Sequence, residues 1–204
     1  MRADAEANRE RLLDAAGDVF AEYGIDAPLA LITERAEVGK GTLYRHFPDR
    51  DALVLGLGER MRQRWLHITT EAASAPTGWD AIVTYIDGVA GMYLDMPWLV
   101  PVRARVRILQ QADPADETAV RAVIERAWEE GTLRTDIDPT DLAFIPSMLA
   151  GLVTLPEPMR SVIMARQRDI VLDGLRPVGA ARPPLGSRPL GIGDLRSYIR
   201  QSRN

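Results

Sequence analysis

Six neighbouring residues of this 204-residue chain carry groups that could bind the surface of a nucleic-acid duplex. They are Lys40, Gly41, Thr42, Tyr44, Arg45 and His46. Lys40 and Arg45 can donate hydrogen bonds to phosphates or to a guanine edge, and Thr42 offers a hydroxyl. The two aromatic residues can donate to phosphates, and the glycine lets the backbone approach a duplex closely. The same segment would also suit a solvated helix face that happens to carry two cations.

The residues around this segment predict a helix-turn-helix. Ile32 and Ala36 lie four residues apart, as on one face of a helix, and the tight segment 37–39 then interrupts the run. A second short helix is predicted over residues 40–47, ended by Pro48.

The second helix has two different faces. At 100° per residue, Leu43 and Phe47 fall on one face, which we expect to pack inward. Gly41, Thr42 and Arg45 point the opposite way and are left free to bind a partner. Spacing alone does not decide between a reading face and a solvated face, because short helix-turn-helix patterns recur by chance.

The order of residues in this segment is more specific than their spacing. The run GKGTLYRHFPDR over residues 39–50, closed by Leu53, resembles the recognition-helix signature of the tetracycline-repressor (TetR) family. The resemblance implies DNA contacts by Lys40, Gly41, Thr42, Tyr44, Arg45, His46 and Arg50. It implies that the first three face bases, that the next three lie on base edges or phosphates, and that the last holds a phosphate at the start of the next helix.

Three departures from the family pattern concern DNA affinity more than fold. Residues 27–30 read APLA where the family commonly has Ser or Thr and a basic residue, so this end offers phosphate no side-chain donor, although Pro28 suits a first helical position. Glu37 stands where the family usually has a turn glycine, so we expect strain there if φ is positive. Thr33 replaces the usual alanine beside Ile32.

Composition excludes several functional classes. Hydrophobic residues make up 46% and charged residues 26%, as in an ordinary globular protein. The chain has no cysteine, and its two histidines, His46 and His67, leave little for metal or triad chemistry. We find no Ser-His-Asp arrangement or glycine-rich phosphate loop, so we expect no enzyme, cofactor or metal site. No signal peptide or membrane-length apolar run is present in the sequence, which predicts a cytoplasmic protein.

The net charge of −4 gives no general attraction to nucleic acid. Residues 1–50 contain seven lysines and arginines against ten aspartates and glutamates. Duplex binding requires a local cationic face, and Lys40, Arg45 and Arg50 would supply one. Because the rest of the chain is acidic, we expect a modest affinity that depends steeply on salt.

The periodicity along the chain and the resemblance together predict an all-α fold in three parts. Residues 1–48 form a three-helix DNA-binding head, residues 49–176 a helical ligand-binding and dimerisation domain, and residues 177–204 a basic tail rich in proline and glycine. A helix of about 25 residues, capped by Asp49, would span about 37 Å and join the head to the body. Residues 98–111 fit either a helix or a strand, and their helical surroundings favour a helix.

The resemblance also implies two sites in the body. Large, adaptable or half-polar side chains there would line a cavity for an apolar or aromatic effector: Tyr85, Met92, Tyr93, Met96, Trp98, Arg103, Arg107 and Trp128. Most of them would equally serve as plain core, and the two arginines as a solvated face. The last two apolar helices would form a homodimer interface through Leu142, Ile145, Leu149, Leu152, Ile163 and Ile170, or else complete the core of a monomer.

The resemblance thus implies a homodimeric repressor that binds a pseudo-palindromic double-stranded DNA operator and is released by a small effector. The alternative is a helical small-molecule-binding dimer with weak or lost DNA binding, which the acidic head and the APLA segment would permit.

Overall fold

The computed structural model describes residues 2–109, 114–152, 155–180 and 185–186, and all regular structure in these ranges is helical. The helices are α1 (Arg2–Tyr23), α2 (Leu29–Arg35), α3 (Lys40–His46), α4 (Arg50–Ala73), α5 (Gly78–Asp95), α6 (Leu99–Leu109), α7 (Pro114–Glu129), α8 (Pro139–Leu149) and α9 (Met159–Leu175). A 3-10 helix, Ala150–Leu152, follows α8. The all-α prediction is confirmed, and the helix predicted within residues 98–111 is present as Leu99–Leu109. Most of the predicted basic tail lies outside the described residues.

No helix among the described residues combines the length and the apolar character needed to cross a bilayer. The chain forms two compact units, and each is described by itself. Unit 1 comprises Met1–Thr70 and Gly91–Thr118, and unit 2 comprises Glu71–Ala90 and Ala119–Asn204. The predicted head of residues 1–48 therefore packs in one unit with most of α4 and with α6, whereas its functional separation from the body stays a prediction.

Unit 1 is built around the buried stripe of α1. Leu12, Leu13, Ala16, Val19 and Phe20 are all buried, as their helical spacing predicts. Gly24 ends α1 with a positive φ of 82°, and its N–H donates to the Phe20 carbonyl at 3.1 Å.

Helix α4 packs closely because two of its positions have no side chain. A Cβ on Gly56 would lie 2.9 Å from Leu13 and 3.1 Å from the Phe47 ring. A Cβ on Gly58 would lie 3.1 Å from a methyl of Val106 on α6. At the start of α4, the Asp49 carboxylate accepts a 2.8 Å hydrogen bond from the Ala52 N–H, which confirms the predicted cap.

Helix α6 also contacts the head directly. The Trp98 indole just before it lies against α1, where a Cβ on Gly17 would be 2.6 Å from the ring. Arg105 forms a bidentate ion pair with Asp51 in the first turn of α4, with contacts of 2.8 and 3.0 Å from one guanidinium nitrogen. These contacts explain why α6 belongs to unit 1.

Unit 2 is held by a backbone contact between α5 and α7. A Cβ on Gly78 would lie 2.5 Å from the Ala127 Cα, so only glycine fits there. The Glu130 carboxylate accepts a 2.6 Å hydrogen bond from the Gly78 N–H. Arg126 pairs with the same Glu130 and donates to the Ala75 carbonyl at 2.6 Å, which fixes the turn between α4 and α5.

Candidate DNA-binding surface

The short helix α3 has one buried and one open face, as its sequence predicts. Leu43 is buried at its centre, and Phe47, the residue that ends it, is buried as well. Lys40, Tyr44 and Arg45 are exposed, and Tyr44 shows 53% of its surface. The two apolar anchors therefore hold the polar residues of α3 outward.

The other two members of the predicted outer face leave room for a close approach. Gly41 is exposed, and a Cβ there would meet no atom within 4 Å. Thr42 is half-buried, and its N–H donates to the Gly39 carbonyl at 2.9 Å. A duplex could thus approach the first turn of α3 along its backbone.

The turn between α2 and α3 has a left-handed residue at the expected place. Glu37 has a φ of 53°, which confirms the strain predicted for a non-glycine residue there. Gly39, two residues later, caps α3 with φ −71° and ψ 151°, an extended conformation open to any residue. It offers no side-chain cap to the helix. The glycine of this turn is thus not at the position that needs one.

The start of α2 offers no side-chain donor, as predicted from its sequence. Pro28 is the cap of α2, with ψ 131° and no side-chain hydrogen bond, and Leu29 is the first helical residue. Pro28 therefore stands one residue before the predicted position, because its ψ is not helical. Thr33 is buried, and its hydroxyl donates to the Ala30 carbonyl at 2.8 Å.

The cations of the head differ in what they already bind. Lys40 and Arg45 have no hydrogen bond or ion pair with any part of the chain that the structure describes. Arg35, in contrast, pairs with Glu22 at 2.7 Å. Arg50, predicted to hold a phosphate, is half-buried and donates to the Ile25 carbonyl. The free positive charge of this surface is thus concentrated on α3.

His46 is placed differently from the other predicted DNA contacts. Its Nε2 is buried and has no hydrogen-bond partner among the described residues. Its ring centroid lies 6.4 Å from that of Phe47, on the side of the anchors. That nitrogen is not open to a phosphate in this conformation, and the predicted DNA contact of His46 stays a prediction.

An ion-pair network holds α1 against α4 beside this surface. Arg60 of α4 lies 2.5 Å from the Glu10 carboxylate and 2.7 Å from the Asp14 carboxylate. The hydrogen bond from Arg60 and the charges of Arg60 and Arg9 hold the pKa of Glu10 below its ordinary value. The Arg9 guanidinium lies 5.7 Å from the centre of the Phe47 ring. Through Arg9, α1 therefore contacts Phe47, one of the two buried residues that anchor α3.

The predicted effector residues are distributed over both units. Met92, Tyr93, Met96, Trp98 and Arg103 belong to unit 1, whereas Tyr85 and Trp128 belong to unit 2. Tyr85, Met92 and Tyr93 are buried, and the Tyr93 hydroxyl accepts a hydrogen bond from Arg103. Met96 is half-buried, and the side chain of Arg107 lies outside the described part.

Two of the predicted effector residues have structural partners. Trp98 is buried against Gly17 of α1. The Trp128 indole donates to the Arg134 carbonyl at 3.2 Å. A role in effector binding stays a prediction for the whole set.

The predicted interface residues of α8 need correction. Leu142 is 0% exposed in the single chain, and Ile145 and Leu149 are buried too, so these three pack in the core of unit 2 and offer a partner little surface. Leu152 and Ile163 are half-buried, and Ile170 on α9 is exposed.

The exposed apolar side chains of α8 lie on its other face. Phe144 is 49% and Met148 66% exposed. Their spacing of four residues, offset from the leucine stripe, is the sequence signal that would have pointed to them.

Comparison with known proteins agrees with the geometry of the head. The profile described as bacterial regulatory proteins of the tetR family matches residues 12–57, which run from α1 through α3 into α4. Over these residues, which include the helix-turn-helix, the chain is similar to the regulators of that family.

Three known proteins are similar to most of the chain. HTH-type transcriptional repressor Rv1474c of Mycobacterium tuberculosis is 26% identical over 83% of this chain and 94% of its own length. The TetR transcriptional regulator SCO0520 from Streptomyces coelicolor has 29% identity and a TM-score of 0.58, covering 84% of this chain and 99% of that one. The structure titled SmeT-Triclosan complex shares the fold at 20% identity, with a TM-score of 0.56 over 91% of this chain and 99% of that one.

Proposed function

We propose that this chain is a TetR-family repressor that binds a pseudo-palindromic operator as a homodimer. The observation that carries the proposal is the outward face of α3, where Lys40, Tyr44 and Arg45 are exposed on a helix anchored by Leu43 and Phe47. Such a helix fits the major groove, and its first residues would meet base edges. Two-fold symmetry would place two copies of α3 about 34 Å apart, one helical turn of DNA.

The number of free cations on this face determines how steeply DNA affinity falls as the salt concentration rises. The free cations of α3 are Lys40 and Arg45, so a dimer would bring four of them to the duplex. If all four bind phosphates, their contribution to the slope of log affinity against log salt is about −4. Arg50 would add little while it donates to the Ile25 carbonyl.

The dimer interface we propose is the apolar face of Phe144 and Met148 on α8 with Ile170 on α9. All three large apolar side chains are exposed in the single chain, and such exposed apolar residues are typical of a protein–protein interface. Sedimentation equilibrium of Met148→Lys tests this proposal, with Val100→Lys on α6 as the control, because Val100 is a comparably exposed apolar residue in unit 1. We expect the α8 variant alone to be monomeric. A dimer that survives in Met148→Lys would contradict the assignment.

We further propose that a small apolar or aromatic molecule releases the operator. Met92 and Tyr93 on α5 and Trp98 just before α6 support this chemistry. The complex of SmeT with triclosan, a protein of the same fold, lends it support. The molecule would act only through a difference in its affinity for the two conformers of the dimer. Native mass spectrometry of the purified protein tests for such a molecule as a bound mass lost on denaturation.

Selection of binding sites from a random duplex library, followed by gel shift, tests the DNA-binding proposal. We expect an enriched motif with two inverted half-sites whose centres lie about ten base pairs, or a multiple of that, apart. Lys40→Ala should weaken binding, whereas Arg35→Ala should not, because Arg35 already pairs with Glu22.

A second candidate function is a helical small-molecule-binding dimer with weak or lost DNA binding. It is favoured by the occupied Arg50 guanidinium and by the start of α2, where Pro28 offers no side-chain donor. If no motif is enriched even at low salt, this second candidate replaces the repressor.

A further inference from the structure

The 25 lysines and arginines of the sequence include a single lysine, Lys40, and all the others are arginines. The sequence therefore contains one side-chain amine. An amine is a nucleophile once it has lost its proton, whereas the guanidinium of arginine stays protonated in proteins and does not react in this way. A reagent or an enzyme that modifies amines thus has one side-chain target in this sequence.

The Lys40 amine lies on the open face of α3. Lys40 is exposed as the first residue of the helix, and its amine has no hydrogen bond or ion pair with any residue that the structure describes. Gly39 and Gly41 on either side are exposed as well, and a Cβ on either would meet no atom within 4 Å. The chain therefore leaves space around Lys40 for a reagent or for the active site of an enzyme.

Modification of this one amine would change the charge of the whole face. Acylation removes the positive charge of a lysine and leaves its nitrogen one N–H in place of three. The other free cation of α3 is Arg45, which keeps its charge because a guanidinium is not acylated under the same conditions. Acylation of Lys40 alone would therefore halve the free positive charge that α3 offers to a duplex.

We propose that Lys40 is an acylation site, and that its modification by an acyl phosphate or an acyl thioester switches off the DNA-reading face of α3. The neutral amine attacks the acyl carbonyl and forms a C–N bond, while the bond from the carbonyl carbon to the phosphate or thiolate breaks. The leaving group takes the electron pair, and the amine proton passes to solvent. The modification site rests on the exposed amine, whereas its effect on operator binding rests on the proposed function.

The expected loss of affinity follows from the number of charges. A dimer acylated on both copies would lose two of its four free cations, so the slope of log affinity against log salt should change from about −4 to about −2. At a salt concentration of about 0.1 M, the release of two fewer counterions weakens operator binding by about tenfold to a hundredfold. Bound operator should in turn protect Lys40 from acylation, because the duplex would cover the amine.

Acetylation of the purified full chain tests the site. One arm uses acetyl phosphate and the other acetyl-coenzyme A, and each arm is repeated with the selected operator bound. Trypsin does not cleave after an acetylated lysine, so modification joins the two peptides that meet at Lys40 into one peptide of residues 36–45, which mass spectrometry quantifies. Fluorescence anisotropy then measures the operator affinity of each sample.

The matched control moves the only lysine to another exposed helical position, by Lys40→Arg together with Ala122→Lys on α7. Each protein is compared with itself before and after treatment. We expect the parent to be acetylated at Lys40 and to lose affinity as the modified fraction rises, and the arm that reacts identifies the donor. The control should be acetylated at position 122 and keep the affinity that it had before treatment.

Two results would overturn the proposal. Lack of reaction at Lys40 in both arms would overturn the modification site, and acetylated parent that binds operator as before would overturn the switch. The mass measurement needs no DNA, so a failure of the site is distinct from a failure of operator binding. If the selection yields no operator, the peptide measurement alone decides the site, and the switch falls together with the repressor.

Discussion

Replacing Glu37 by glycine should stabilise the protein. Glu37 has a φ of 53° in the turn before α3, and the Cβ of an L-residue in this conformation costs about 1–2 kcal/mol. The side chain is exposed, and it has no hydrogen bond or ion pair in the described part of the chain, so its removal loses no contact. Glycine has no Cβ and therefore adopts this φ without that steric cost.

The size of the gain follows from two opposing effects. Relief of the left-handed conformation contributes about 1–2 kcal/mol, while the greater freedom of glycine in the unfolded chain offsets about 0.4–1 kcal/mol. The free energy of unfolding should therefore rise by about 0.5–1 kcal/mol. For a protein of this length, that raises Tm by about 1–4 °C.

Urea denaturation followed by circular dichroism measures this gain, and two controls separate its causes. Glu37→Gln removes the charge but keeps the strained backbone, so its stability should stay near that of the parent. Glu34→Gly makes the same chemical change inside α2, where φ is helical, and should cost about 0.5–1 kcal/mol. The reasoning is refuted if Glu37→Gly is no more stable than the parent, or if Glu37→Gln gives the same gain.

Three further predictions concern the packing around α4. Gly58→Ala alone should be neutral or destabilising, because its Cβ would lie 3.1 Å from a Val106 methyl. In a Val106→Ala background the same change should raise the free energy of unfolding by about 1 kcal/mol. Equal effects in both backgrounds, measured by urea titration, would argue against the contact. Because the pKa of Glu10 is lowered in the folded protein, its ionised carboxylate stabilises the fold above about pH 4.5, the ordinary pKa of the group. This stabilisation is lost as pH falls through the lowered pKa. The stability difference between the parent and Arg60→Gln should therefore shrink on acidification below about pH 4.5; a constant difference would count against the pair. Asp49→Ala should cost about 1 kcal/mol through the lost cap of α4, measured by thermal denaturation, and Asp49→Asn should recover most of it.

Local patterns were sufficient to predict the helix-turn-helix. The spacing of Leu43 and Phe47 gave the buried face of α3, because a helix of known period leaves only one choice of inward side. The left-handed residue at Glu37 was expected from the resemblance instead, because the family usually has a turn glycine at that position.

Contacts between residues distant in sequence were not predictable. The leucine stripe of α8 was read correctly as apolar, but its periodicity does not distinguish cover by the same chain from cover by a second copy. Leu142 proved to be core. The diversion of Arg50 to the Ile25 carbonyl likewise depends on a loop 25 residues away. The inward turn of the His46 ring depends on its neighbours and not on its own position in the helix.

The most direct test of the reading face compares two tyrosines of the head. Tyr44 on α3 and Tyr23 at the end of α1 are exposed to a similar extent, 53% and 56%, so neither side chain belongs to the buried core. Fluorescence anisotropy with the selected operator should show that Tyr44→Ala weakens binding about tenfold or more, because each dimer loses two groove contacts. Tyr23→Ala should bind like the parent. Equal affinities of the two variants for the operator would contradict the assignment of α3 as the DNA-reading helix.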